Sequence, residues 1–176
     1  MATIFAAVRT EDAFLKALKS QVSTIFMLAP NIDKIKKQAE EAHKANKMFF
    51  IHIDLAEGIG KDEYGIMFAK SNGVDGIIST RTTLIKHAKA QGMLAVQRFF
   101  VLDSQSVDTI AESAKTSKAD MIELMPGTVV KVIEKIKEIL DTPIVAGGLI
   151  ETKEEIAEAY KKGAVAVSTG REELWN

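Results

Sequence analysis

The sequence predicts a compact (β/α)8 TIM-type barrel, a single domain over residues 1–176, with a truncated final helix. Three observations point to it. Eight apolar, strand-like runs begin near Thr3, Val22, Met48, Asp75, Leu94, Asp120, Pro143 and Ala164. Helix-length segments with apolar residues at three- and four-residue spacing separate them, and the joins are short, as in a parallel sheet. Glycine stops recur just before strands, as Asn72-Gly73, Gln91-Gly92 and Lys162-Gly163; glycine takes the left-handed conformation that ends a helix.

The elements follow in order. The apolar series Ala13, Leu15 and Leu18 marks helix one, and Leu84, Ile85 and Ala88 marks helix four. Asp103-Ser104 suits a cap for helix five. Pro126 suits a first helical turn before the apolar series Val129, Val132, Ile133 and Ile136 of helix six. Thr152 with Glu155 forms a capping box for helix seven. The chain has about 22 residues per unit, so the barrel is smaller than the usual one of roughly 250 residues. Only Gly170 to Asn176 follow strand eight. A rudimentary eighth helix is expected, with an apolar gap that a second subunit could cover. An open doubly wound sheet is the structural alternative.

The composition, 47% apolar and 27% charged, is that of a soluble globular protein. The absence of cysteine excludes disulfides and thiolate metal sites and suits the cytoplasm. The N-terminal stretch does not read as a signal peptide, and no apolar run approaches a membrane span. A net charge of -1 gives no global attraction to nucleic acid.

The chemistry gathers at predicted strand ends. Phe49 to Glu63 opens as a strand and ends as a charged loop holding Gly58 and Gly60. Alternation puts Met48, Phe50, His52 and Asp54 on one face and Phe49, Ile51 and Ile53 on the other. The second face is uniformly apolar, as a face under helices should be; a buried His bonded to an Asp is the structural reading of the first. The chain has 19 lysines but only four arginines, Arg9, Arg81, Arg98 and Arg171, each at or after a strand's C-terminal end. That end is where parallel α/β folds bind ligands, and arginine's fork matches phosphate and carboxylate oxygens. Gly147-Gly148 after strand seven and Ser168-Thr169-Gly170 after strand eight suit a phosphate cradle of backbone N–H groups and hydroxyls. Glu123 shares a face with Met121 and Met125, so it points into the barrel and needs a partner such as Arg98. His43, His87 and the lysine clusters read as solvated helix faces.

These residues and several motifs resemble the glycerol-3-phosphate-responsive antiterminator family. The matching segments are His52 to Leu55, Glu57 to Glu63, Gly76 to Arg81, Gln97-Arg98-Phe99, Leu102-Asp103-Ser104, Glu123 to Gly127, Ala146 to Ile150 and Ala166 to Thr169. The resemblance covers nearly the whole chain; Ala56, where a bulkier aliphatic is common, and Gly170 are small departures. It implies a barrel, glycerol-3-phosphate as effector, no further cofactor, and binding to leader mRNA that prevents premature transcription termination. The phosphorylated ligand also has support from the residues themselves; the RNA rests on the resemblance.

The expected ligand site is the backbone of Gly147, Gly148, Ser168, Thr169 and Gly170 for phosphate, with Asp54, Glu57 and Arg98 at the hydroxyl end. Lys61 and Arg81 are the candidate RNA-binding residues, a surface that a homo-oligomer would double. No turnover is expected: only one histidine lies at a strand end, and no lysine lies within a strand core. Two alternatives stand beside this reading. One is a barrel enzyme on a small phosphorylated substrate, with Asp54, Glu57, Lys61 and Glu123 as acid–base groups. The other is a phosphate-ligand sensor that binds a protein partner.

Overall fold

Alternation within each strand sorts side chains into two sets, and closing the sheet turns one set inward. The computed structural model, which describes residues 2–103 and 105–176, is such a closed barrel of eight parallel strands. The strands are β1 (Ile4–Val8), β2 (Thr24–Met27), β3 (Met48–His52), β4 (Gly76–Ser79), β5 (Leu94–Phe100), β6 (Met121–Met125), β7 (Ile144–Gly147) and β8 (Ala166–Thr169). Between them run α1 (Glu11–Lys19), α2 (Ile35–Lys44), α3 (Glu63–Ser71), α4 (Thr82–Ala90), α5 (Ser106–Ser117), α6 (Val130–Ile139) and α7 (Lys153–Lys161). Pairing of Ile4 with Val167 and Phe5 with Ser168 closes β1 on β8 and rules out the open sheet.

The barrel interior is filled by Phe5, Phe26, Phe50, Ile78, Val96, Val145 and Ala166. Phe26 stands between Phe5 and Phe50, with ring centroids 5.0 and 5.4 Å away. The opposite faces of the strands, Phe49, Ile51 and Ile53 among them, pack under the helices. This is the two-sided burial expected for β3.

Helix ends follow the local signals. Thr10 Oγ1 accepts from Ala13 N at 3.2 Å, Asp62 Oδ1 from Gly65 N at 2.9 Å, and Thr152 with Glu155 forms the capping box. Gly73, Gly92 and Gly163 have the positive φ expected of helix stops. Asp103 Oδ1 accepts from Gln105 N and Ser106 N at the start of α5; Ser104, its expected companion, lies outside the described residues. Two local expectations are corrected. Pro126 is not in the first turn of α6. It follows Met125 through a cis peptide in the preceding turn, where Gly127 N is drawn to the carbonyls of Gly147 and Gly148. Asp54 does not continue the inner face of β3. A 3-10 turn over Ile53–Leu55 breaks the alternation and swings it towards β4.

The eighth helix is reduced to a 3-10 turn, Glu172–Leu174. Trp175 behind it is 2% exposed, packs with the α1–α4 core, and donates from Nε1 to Thr169 O at 2.9 Å. A groove of about 890 Å³ remains beside it, lined in part by Ile4, Val22, Ile156 and Tyr160. No helix among the described residues is long and apolar enough to cross a membrane.

Trp175 therefore takes the place of the missing helix. Trp175→Ala should cost about 3–5 kcal/mol, the usual loss for truncating a buried aromatic. Urea denaturation measures this directly, and a loss below about 1 kcal/mol would show that the seam is closed by other groups.

Candidate functional site

The alternation that turns Val96, Met121 and Ala166 inward also turns in Arg98, Glu123 and Ser168, two residues further along each strand. They meet above the apolar floor. Arg98 Nε donates to Glu123 Oε2 at 2.6 Å, and Ser168 Oγ donates to Glu123 Oε1 at 2.5 Å. All three are buried, Glu123 completely. A carboxylate in such a place needs a partner on each oxygen, and Glu123 has both. Gly147 is next to this group: a Cβ there would overlap Glu123 Oε1 and lie 2.7 Å from Ser168 Oγ. Its role in the structure is to make room for the carboxylate.

Arg98 spends only Nε on Glu123; among the described residues its two Nη groups have no protein partner. The side chain borders a cavity of about 480 Å³ at the C-terminal mouth, within the size range of small-molecule sites. Three of the four arginines line it: Arg9 after β1, Arg98, and Arg171 after β8. The two loops singled out in the sequence, Gly148 to Glu151 and Ser168 to Arg171, also line it, together with the apolar residues Ala7, Leu28 and Met125. The β7 loop turns through positive φ at both Gly148 (72°) and Leu149 (58°). Thr169 ties the two loops together, donating to Ile150 O at 2.7 Å and accepting from Arg171 N at 3.1 Å. Arg171 itself is held by Glu151 at 2.5 Å.

Of the eight residues expected to touch ligand, Arg98, Gly148, Ser168, Thr169 and Gly170 line this cavity. Glu57 lines an adjoining cavity of about 200 Å³ that shares Arg9 and Thr10 with the first. It is positioned by Asn31 Nδ2 at 3.0 Å and by backbone pairing between the β2 and β3 loops. Asp54 lines neither cavity. Its carboxylate accepts from Ser79 Oγ at 2.6 Å, Thr80 N at 2.7 Å and Thr80 Oγ1 at 2.9 Å, locking the β3 loop to β4. Burial alone would raise its pKa, but these hydrogen bonds prevail and hold it below the ordinary carboxylate value. Lys61 donates to Ala56 O and, at 2.9 Å, to Ile59 O within its own loop. The guanidinium of Arg81 is exposed and has no partner among the described residues.

His52 ends β3 beside this network. It is 4% exposed, and Nδ1 is buried with no hydrogen-bond partner among the described residues. The His–Asp bond read from the sequence is absent because Asp54 has turned away to β4. Burial, reinforced by the positive charge of Arg98, lowers the pKa of His52. The described residues contain no group of three or more His, Asp or Glu side chains arranged to hold a metal.

The family described as glycerol-3-phosphate responsive antiterminator matches residues 4–175. The chain is similar to a glycerol uptake operon antiterminator regulatory protein from Listeria monocytogenes, 34% identical, with a TM-score of 0.92 over 98% of this chain and 94% of the other. It is similar to a glycerol uptake operon antiterminator-related protein from Thermotoga maritima, 33% identical, with a TM-score of 0.88 over 99% and 98%. An uncharacterised Escherichia coli protein, YgcP, is 35% identical over 98% of this chain and 91% of its own. Barrel aldolases at 11–15% identity share the fold alone.

The buried histidine sets a pH dependence. In the unfolded chain His52 titrates near 6.5, whereas in the folded protein its pKa is lower. Below pH 6.5 the unfolded state therefore binds more protons, and stability falls as the solution is acidified. Asp54, held below its ordinary value of 3.8, adds a second loss only below that pH. His52→Asn should flatten the fall between pH 7.5 and 5.5 in urea titrations and leave the lower limb. Parallel curves for the two proteins would contradict the assignment to His52.

Proposed function

Because the chain belongs to the glycerol-3-phosphate responsive antiterminator family, we propose that it is a cytoplasmic regulator of glycerol uptake that binds glycerol-3-phosphate in the barrel mouth. In this reading the loaded protein binds leader mRNA and prevents premature transcription termination. The observation that carries the ligand half is that Arg9, Arg98 and Arg171 line one cavity with the β7 and β8 loops. Phosphate would sit against Gly148 and Ser168 to Gly170, with charge supplied by Arg98 and Arg171, each anchored by a glutamate, and by Arg9, unpaired among the described residues. Arg98 faces the rest of the ligand directly, and Glu57 does so through the adjoining cavity. Gly147 supports the site by making room for Glu123, and Asp54 by fixing the neighbouring loop.

The arrangement favours binding over turnover. Both oxygens of Glu123 are engaged, and Asp54 is saturated with donors, so neither is placed to take a substrate proton. Lys47 is bonded to Ser20 O and Val22 O at the opposite end of the barrel. RNA would be met on the rim at Arg81 and, once its ammonium leaves the loop carbonyls, at Lys61. A second subunit would double this surface, which a chain of net charge -1 needs in order to hold RNA.

A filter-binding titration of leader RNA with and without glycerol-3-phosphate tests the whole reading. Ligand should tighten RNA binding, and RNA should tighten ligand by the same factor. Arg9 has no partner among the described residues, so Arg9→Ala removes charge without breaking a bond. It should weaken the ligand roughly tenfold to a hundredfold, the usual size of a charged hydrogen bond. Lys61→Ala/Arg81→Ala should reduce the salt slope by about 0.7 for each RNA phosphate that the two side chains neutralise. Equal RNA affinity with and without ligand would remove the switch, and unchanged ligand affinity in Arg9→Ala would move the anion elsewhere.

A further inference from the structure

One helix of the barrel is apolar on both of its faces. In α3, Ile66 and Ala69 are buried in the core, while Tyr64, Met67 and Phe68 face outward at 71%, 44% and 38% exposure. The outer three recur at three- and four-residue spacing and so form one stripe. The outer faces of α2 and α6 show the usual charged pattern, with Lys36, Glu40 and Lys44 on the first and Lys131, Glu134 and Glu138 on the second. A helix that is apolar all round is normally covered on both sides. Ile32, also exposed, extends the stripe at the rim, where it sits over Gly58 in the loop leading into α3. The three α3 side chains leave roughly 300 Å² open, taking about 200 Å² for each whole side chain. That is on the order of the largest apolar patch on a typical monomer, which is often functional.

Charge and symmetry identify the occupant. Glu63 stands in the first turn of α3 and Lys70 in its last. Both lie on the flank next to α4, where Glu63 is 4.0 Å from His87 and Lys70 donates to Gln91 O. An ammonium has three donors, so that bond leaves two free to meet a partner. Met67 lies midway between the two charges. A second α3 laid antiparallel across Met67 brings Glu63 of each copy opposite Lys70 of the other. The stripe is thus complementary to itself reversed, which is the condition for an isologous two-fold contact. RNA fits less well, because Asp62 and Glu63 stand at the rim end of the stripe and repel phosphate. A dimer of ordinary size buries about 800 Å² on each subunit, with an apolar centre inside a polar rim. The stripe with Ile32 supplies that centre, and the flanking charges supply the rim. We propose that the outer face of α3 is a homodimer interface, in which two copies of the chain pack antiparallel through Tyr64, Met67 and Phe68. The contact does not depend on what the mouth binds.

Sedimentation velocity of the full chain, without ligand or RNA, tests it. Wild type should run as a dimer at micromolar concentration. Met67→Glu should run as a monomer at the same concentration and keep the circular dichroism of wild type, because the residue is exposed in the subunit. Glu63→Lys and Lys70→Glu should each raise the dissociation constant roughly tenfold, since each sets two like-charged pairs across the interface. Glu63→Lys/Lys70→Glu restores opposite charges and should recover most of the wild-type affinity. A monomeric wild type would overturn the inference, as would a dimer that survives Met67→Glu or a double reversal no better than the single ones. If wild type is monomeric and Met67→Glu weakens binding of leader RNA, the stripe is an RNA surface and the dimer is overturned.

Discussion

The buried pair of Arg98 and Glu123 is the interaction around which the barrel mouth is built. A carboxylate with no exposure can remain charged there only if its oxygens are met, and Arg98 and Ser168 meet them from β5 and β8. That requirement explains three features at once. β7 must pass close to the carboxylate, so Gly147 has no side chain. The interior changes from aliphatic packing to polar groups within two residues along β5, β6 and β8. The guanidinium is fixed through one nitrogen, so its other donors face the cavity at little further entropic cost.

Around this pair the rim divides by task. The loops after β7 and β8 are tied together by Thr169 and supply backbone and arginine to the larger cavity. The loops after β2 and β3 are paired through Asn31 and Glu57 and shape the smaller one. The β3 loop is then locked to β4 by Asp54 and to itself by Lys61. An anion drawn towards Arg9 and Arg98 thus lies near a loop whose position is shared with β4 and with the start of α3. Under the proposed function this is the route from ligand to Arg81, with ligand and RNA favouring the same loop arrangement.

Much of this is legible in the sequence, and the exceptions have identifiable causes. The barrel follows from the spacing of apolar runs and glycine stops, because period and punctuation are local properties. Arg98 and Glu123 can be paired because both fall on inward faces of predicted neighbouring strands. Strand alternation misplaces Asp54 because a 3-10 turn breaks the period of two, and no residue in Ile53-Asp54-Leu55 announces that turn. Pro126 is ambiguous because a proline before an apolar series suits both a first helical turn and a sharper turn ahead of the helix. Glycine at 147 suggests backbone donation, whereas the reason for it is the bulk of the Glu123 side chain on the neighbouring strand. Trp175 shows how a chain too short for an eighth helix closes its seam, with one large side chain bonded to the last strand.

The central claim is that Arg98, held by Glu123, presents its remaining donors to an anion in the mouth. The structure of the protein co-crystallised with glycerol-3-phosphate tests this most directly. Phosphate oxygens should lie within hydrogen-bond distance of an Arg98 Nη group and of backbone N–H groups in the β7 and β8 loops, with the Arg98–Glu123 bond intact. Phosphate bound outside the mouth, or Arg98 released from Glu123 to reach it, would contradict the claim.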